Sequence, residues 1–428
     1  MFLMLSLAMS ASCGLKQADN GDGTDKKDSG TENGTVQAGV SADSENEEGN
    51  GTTDENGEPA EVRISFAAVG DNLIHESVYN TAKTHAATLA SSGGPVVDYY
   101  FETMYSENLK KIIGSADLAF VNQEAPIVPE YPADGYPSFN TPTEAGDTLI
   151  EIGFDIVNLA NNHMLDMDGK CEGLRSTMKY WNGTDIMPIG AYESREDYNT
   201  IRIMECKGKR IAVLSYTYGT NGSLNYSSRD LVIPYINDSV IIEQVSRASE
   251  IADAVVVSVH WGKENVFKPT DEQRRIAGLL SKYGADVIIG HHSHTLQPVE
   301  WITNDLGEKT LVIYSLGNFI SSQVRAYNMV GGLATFELVF SKEGELSVEN
   351  AELIPTMTHY LSDGSRRDGF GYPVRYDVSV GLLEDYNSDM CDKHGAQHPD
   401  LNGSFTLDTL KGFVTNTISA EFLPDFLK

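Results

Sequence analysis

Ten histidines are spread over the 428 residues, yet three of them fall in the GHHSH run at 290–294, directly behind Val287-Ile288-Ile289. Imidazole is a borderline metal ligand, and several rings at the end of a strand concentrate donors at a sheet edge. Four other apolar runs end in comparable chemistry. The run 62–69 leads to Asp71 and, further on, His75; 118–121 leads to Asn122-Gln123-Glu124; 154–159 leads to Asn161-Asn162-His163; and 254–259 leads to His260. Carboxylate, amide oxygen and imidazole together suit zinc, manganese, iron or a similar divalent ion, and about six donors make a pair of ions feasible. Such a pair can activate water and stabilise the oxygens of a phosphoryl displacement, while an unligated imidazole serves as general acid. Each residue also has a plainer reading. Asp71 can be a turn former, Asn122 and Asn162 partners of loop backbone, Asp166 and Asp168 caps of the next helix, and Trp261 a packing residue or substrate wall. Five coincident placements favour the metal.

Elements that would position these groups are visible in the same stretch. Apolar runs at 62–69, 118–121, 154–159, 210–216, 254–259, 286–289 and 311–314 are nearly continuous, as in strands buried on both faces. Helical spacing occupies 101–113, 143–152, 171–181, 239–252 and 271–283, with Asp271-Glu272 placed to complement a helix dipole. Strands alternating with helices predict a layered α/β domain, and open α/β sheets gather ligands at the carboxyl ends of their strands. The domain is expected over 62–323, followed by a C-terminal extension over 324–428 packing on it. Within that extension, 360–376 mixes glycines with Arg366, Arg367 and Arg375 and reads as a surface loop.

Composition narrows the partners. With 62 acidic against 31 basic residues, a formal charge of −31 disfavours nucleic acid or anionic lipid as the main partner. Residues 1–13 form an apolar segment too short to span a bilayer, ending in Ser10-Ala11-Ser12-Cys13, which resembles a lipobox. Ser10 replaces the usual aliphatic residue, and no Lys or Arg precedes the run. The expectation is an extracytoplasmic protein, lipid-anchored through Cys13 or secreted, with two acyl chains sufficient for stable attachment. Residues 14–61 are rich in Gly, Asp, Glu, Asn, Ser and Thr and read as a disordered acidic linker. Cys171, Cys206 and Cys391 show no CxxC spacing, so no disulfide framework is implied.

Taken in order, the motifs resemble the capsule-synthesis proteins of the CapA/PgsA type. They are GDNLIH at 70–75, NQE at 122–124, LANNHMLDMDG at 159–169, HWGKE at 260–264, GADVIIGHHSHTLQPVE at 284–300 and YSLGNF at 314–319. The resemblance implies an α/β fold, a four-layer α/β/β/α sandwich of the metallophosphoesterase (calcineurin-like) type. It further implies a role in making or exporting poly-γ-glutamate at the bacterial surface and a divalent cofactor such as Mn, Zn or Fe. Carried over by position, Asp71, Glu124, Asn162, His260, His292 and His294 would hold metal and His163 would be the acid, with His291 as a neighbour able to substitute. Implied partners are membrane subunits of a poly-γ-glutamate synthase and an anionic polymer or phosphoester substrate.

Two motifs depart from the phosphoesterase pattern. Asp-x-His becomes Asp71-Asn72-Leu73, with His75 as a partial replacement, and Gly-Asp-x-x-Asp becomes Asn122-Gln123-Glu124. One metal position is therefore expected to be weak, which puts hydrolysis in question more than metal binding. The sequence leaves two functions open: a capsule-assembly protein with a divalent-metal site, and a metal-dependent phosphoesterase or other hydrolase acting on an envelope substrate.

Overall fold

The computed structural model describes residues 60–170, 172–225 and 230–428. The segment 1–13 with Cys13, nearly all of the linker at 14–61, and Cys171 lie outside the described residues. Among the described residues no helix is long and apolar enough to cross a membrane.

The chain opens with β1 (Val62–Asn72), α1 (Glu76–Ser91), α2 (Glu107–Ser115), β2 (Leu118–Gln123), α3 (Thr143–Ile152), β3 (Ile156–Asn158), α4 (Gly173–Trp181) and β4 (Met187–Ile189). A short α5 (Arg195–Asn199) leads to β5 (Arg202–Cys206), β6 (Lys209–Thr217), α6 (Asp238–Ile251), β7 (Ala254–His260), α7 (Asp271–Lys282), β8 (Val287–His291), β9 (Val299–Thr303) and β10 (Lys309–Ile313). Then come β11 (Asn318–Ile320), β12 (Val330–Phe340), β13 (Leu346–Arg367), β14 (Pro373–Leu382), α8 (Ser388–Lys393) and α9 (Leu407–Thr415). Two mixed sheets result. One has the order β14-β13-β12-β1-β2-β3-β4, with β11 pairing β1; the other runs β5-β6-β7-β8-β10-β9.

Side-chain alternation explains the layering. In the second sheet Ile211, Val213, Val256, Val287, Ile289, Leu311 and Ile313 join the core shared with the first sheet. Their neighbours Ala212, Leu214, Val255, Val257, Ile288 and Val312 point the other way and pack with Ile241 and Val245 of α6 and Ile276 and Leu280 of α7. With both faces covered, the strands must be aliphatic throughout, which is why their sequences show runs rather than alternation. Helices α1 and α2 pack on the first sheet, completing the α/β/β/α layers that the resemblance implied.

Several boundaries follow local chemistry. Thr270 and Gln273 form a reciprocal capping box at the start of α7, and Gly153, with φ of 107°, ends α3 in the left-handed region. Helix α1 lacks a strong apolar stripe and escapes the periodicity reading. Its buried face is small and partly polar, Ser77, Val78, Thr81, Ala82 and Ala86, and Thr81 Oγ1 accepts a hydrogen bond of 3.1 Å from Val378 N of β14.

Residues beyond Gln323 build a large part of the first sheet. β12 pairs antiparallel along β1 from Val62↔Phe340 to Val69↔Leu333. The stretch 360–376, expected as a loop, is instead the outer half of a β-hairpin, paired at Leu361↔Tyr376, Ser362↔Arg375 and Asp363↔Val374. Its strands are solvated on both sides near the tip, so pairing rather than burial holds them extended and no hydrophobic alternation marks them.

Candidate metal centre

Parallel strands of the first sheet deliver the oxygen donors in register. Asp71 of β1 is paired with Asn122 of β2, and Asn122 with Asn158 of β3. Their side chains repeat that order: Asn122 Nδ2 donates to Asp71 Oδ1 at 2.8 Å, and Asn158 Nδ2 donates to Asn122 Oδ1 at 2.8 Å. Ser215 Oγ of β6 donates to Asn158 Oδ1 and ties this ladder to the other sheet. All four residues are buried, so the ladder orients the Asp71 carboxylate without water.

The second sheet delivers the imidazoles. His260 ends β7, and His292 and His294 occupy the turn beyond β8. Both turn residues have positive φ, 93° and 55°, an uncommon backbone region for a side chain with Cβ. Gly290 precedes them where a Cβ would lie 2.1 Å from Tyr314 O, so only glycine allows β8 to pass this close to the start of the YSLGNF segment.

Glu124 stands between the two sets. Its Oε1 is 3.7 Å from His260 Nε2 and 3.7 Å from His294 Nε2, and His294 Nδ1 lies 3.0 Å from Asp71 Oδ2. Two donor groups result, Glu124-His260-His292 and Asp71-Glu124-His294, each with its ligand atoms within 4.8 Å of one another. Donors at about 2.0–2.2 Å from one ion are separated by roughly 3–4 Å, so each group is ion-sized after small adjustment. The altered second motif therefore retains both donor groups, because Glu124 belongs to each. Asn162 Oδ1, 2.7 Å from His260 Nε2, adds an amide oxygen beside the first group.

The donors are chemically ready for a cation. Both carboxylate oxygens of Glu124, Nδ1 of His260 and Nδ1 of His292 are buried without a hydrogen-bond partner. Such atoms cost stability unless something satisfies them. Burial, reinforced by neighbouring imidazoles, pushes His260 well below the usual histidine range, and His292 is pushed down to about 3 by burial and then by His294. Both rings are neutral near pH 7, the form that binds metal. Burial and the nearby Asp71 push Glu124 well above the carboxylate range. Burial would also raise Asp71, but the hydrogen bond and charge of His294 hold it below its ordinary value. A divalent cation relieves the one frustrated carboxylate at the centre of this set.

His291 and His75 are not brought into either group. His291 stacks on Phe120 with centroids 5.6 Å apart, and its Nδ1 is 3.8 Å from Asp71 Oδ1. His75 immediately precedes α1, with Nδ1 3.1 Å from Leu73 O. Trp261 is a packing residue, its Nε1 donating to Tyr314 O at 3.0 Å. Asp168 does accept from Leu174 N at the start of α4, at 3.0 Å, as a cap would. Asp166, expected as a cap too, does other work: its Oδ2 is 2.7 Å from His163 Nδ1 and accepts from Phe139 N at 2.9 Å. The three-residue spacing of His163 and Asp166 was the available signal. Asn318, within the YSLGNF motif, was also missed as a site residue; its Oδ1 lies 3.1 Å from His294 Nδ1.

Fold and donor set together define a layered α/β protein whose sheets bring together two groups of carboxylate and imidazole donors that could hold a metal ion. The chain belongs to the family described as bacterial capsule synthesis protein PGA_cap, whose model matches residues 65–323. It is 30% identical over 237 residues to the capsule biosynthesis protein CapA of Bacillus anthracis, covering 53% of this chain and 56% of that one. It is 29% identical over 245 residues to the PGA biosynthesis protein CapA of Bacillus subtilis (strain 168), covering 56% and 62%. The match thus spans less than two thirds of either relative. Among solved structures, a phosphatase from Mycoplasma pneumoniae is similar with a TM-score of 0.41 and 14% identity, covering 69% of this chain and 93% of that one. A 5'-nucleotidase precursor from Thermus thermophilus is similar with a TM-score of 0.38 and 12% identity, covering 68% and 54%.

Proposed function

We propose that this chain serves at the bacterial cell surface in making or exporting an anionic capsule polymer of the poly-γ-glutamate kind, using a two-ion divalent centre. The observation that carries the metal is the overlap of two donor groups on Glu124, whose buried oxygens have no other partner. Zinc, manganese and iron all accept this mixture of carboxylate, amide and imidazole. Lipid attachment through Cys13 and association with membrane subunits of the polymer synthase belong to the same proposal, supported by the lipobox-like run and the family.

One feature supports hydrolysis as a second reading. His163 is buried, packs edge-on against Phe139, and has its Nδ1 fixed by Asp166 at 2.7 Å. That pairing leaves Nε2 as the nitrogen for exchanging a proton with a leaving group. Ions bound at the centre would supply Lewis acidity and a nucleophilic water near neutral pH. Asp71 and Glu124 would orient them, and the ladder behind Asp71 keeps that orientation fixed.

The test is the metal content of the purified chain, never exposed to chelator, together with turnover of an aryl phosphate. About two divalent ions per chain supports the centre, and a metal-free preparation overturns it. Turnover abolished by His260→Ala and by His163→Gln supports hydrolysis; full metal retention with no turnover supports an assembly role.

A further inference from the structure

A cavity of about 560 Å³ opens beside the centre, roofed by the tip of the β13–β14 hairpin. Its wall is continuous with the metal-bearing turn. Asn328 Nδ2 donates to His294 O at 2.9 Å and to Asn265 Oδ1 at 3.0 Å, and Asn265 N donates to Ser293 O at 2.7 Å. On the other side His75 lines the cavity and packs edge-on against Phe139, which in turn packs against His163. Neither the metal donors nor the acid accounts for this space.

Its polar groups point to one ligand chemistry. Ser322 and Arg375 are among the residues that line it, and Ser322 Oγ and Arg375 Nε are buried without a hydrogen-bond partner. Arg375 is anchored rather than free to swing: its Nη2 donates to Asp368 Oδ2 at 2.7 Å. Arg325, also in the lining, is exposed and has no ion-pair partner among the described residues. Two buried hydrogen-bond donors and an additional cation ask for an oxyanion. The carboxylates nearby do not fill that role. Asp368 is committed to Arg375 and to the amides of Phe370 and Tyr372, at 3.0 and 2.9 Å, and Glu76 is exposed in the first turn of α1.

The roof is apolar and firmly held. Asp368 closes the hairpin turn through those two amides, and Phe370, 59% exposed, meets Tyr136, also 59% exposed, with centroids 5.4 Å apart. Two large exposed rings braced by an ordered turn make a wall for the apolar stem of a ligand.

We propose that this cavity is a subsite for an oxyanion group of the centre's substrate, a carboxylate or a phosphate, held by Arg375 Nε, Ser322 Oγ and Arg325 while Phe370 and Tyr136 cover the adjoining stem. Its place beside the centre rests on the metal reading, but the anion contacts involve no metal donor, so the two fail separately. Calorimetric titration of the full chain, as purified and after chelation, with inorganic phosphate and separately with glutarate tests it. The expected result is binding of at least one anion at millimolar concentration or tighter in the chelated protein, weakened roughly tenfold by Arg325→Ala, the loss of one charge-assisted hydrogen bond. Preference for phosphate assigns a phosphoester group, and preference for glutarate a carboxylate group. Ser322→Ala, which removes an unpartnered hydroxyl, should weaken the same binding without unfolding the chain, and it decides the matter if Arg375→Lys fails to fold. Binding of neither anion to chelated protein, or binding unchanged in both Arg325→Ala and Ser322→Ala, overturns the proposal. Metal content, measured on the same preparation, reports on the centre independently.

Discussion

The two sheets meet the centre in opposite ways. The first sheet ties Asp71 down, with Asp71 held by Asn122, Asn122 by Asn158, and Asn158 by Ser215, while Glu124 just beyond β2 keeps both oxygens unpartnered. The second offers imidazoles, of which His260 and His292 leave Nδ1 without a partner, and a turn with positive φ at His292 and His294. A remote histidine shows that bareness is not the rule for burial. His394 is as deeply buried, yet its Nε2 lies 3.0 Å from Thr358 O and its Nδ1 accepts from Ala396 N at 2.9 Å. His394 completes its hydrogen bonds, whereas His260 and His292 each keep Nδ1 in reserve, as buried His291 does with both ring nitrogens. Order around Asp71 and unfilled valence at Glu124, His260 and His292 are what a metal site requires, since the rigid donor fixes position and the bare ones supply affinity.

The largest effect is expected where the halves meet. Glu124→Ala removes the carboxylate common to both groups, and elemental analysis should show bound metal falling from about two ions to near none. Retention of both ions would mean that the sheets bind metal independently. Next, His292→Ala and Asp71→Asn each touch one group, so each should cost about one ion, and a double variant should match Glu124→Ala. Equal total loss in every single variant would replace two sites by one.

A smaller change is expected behind the carboxylate side. Asn158→Ala cuts the ladder without removing a donor; metal affinity should drop about tenfold or more, and chemical denaturation of the chelated protein should show a loss of about 1–3 kcal/mol. Unchanged affinity would show that Asp71 needs no support from the neighbouring strands.

The smallest effect on metal binding is expected at the control residue. Burial and then His359 push His394 down to about 3, against an ordinary histidine value near 6.5 in the unfolded chain. Between these values the unfolded state binds the proton and the folded state does not, so stability falls as pH drops from about 6.5 toward 3, by roughly 1.4 kcal/mol per pH unit from this ring. His394→Gln should flatten that part of the stability profile and leave metal content unchanged. A metal loss in His394→Gln would end its use as a structural reference.

Much of this is legible in the residues. The helical spacing at 143–152 has the bounds of α3, and each candidate ligand stands at or just beyond a strand end because aliphatic runs give way to polar residues there. Pairings between distant segments are not legible. That Glu124 faces both His260 and His294, or that Asn158 reaches Ser215, depends on how two sheets stack, and no local periodicity encodes it. Helix α1 is hidden by its small polar face, and the outer hairpin by its solvation on both sides.

The position of β1 between β2 and β12 sets a calendar for the molecule. Asp71 is made early, but the antiparallel neighbour of its strand is made only after most of the chain exists, and closing so long a loop comes late in folding. Until β12 arrives, one edge of β1 is an open template for unwanted pairing. The strand that carries Asp71 is thus among the first segments to be synthesised and among the last to be paired on both edges.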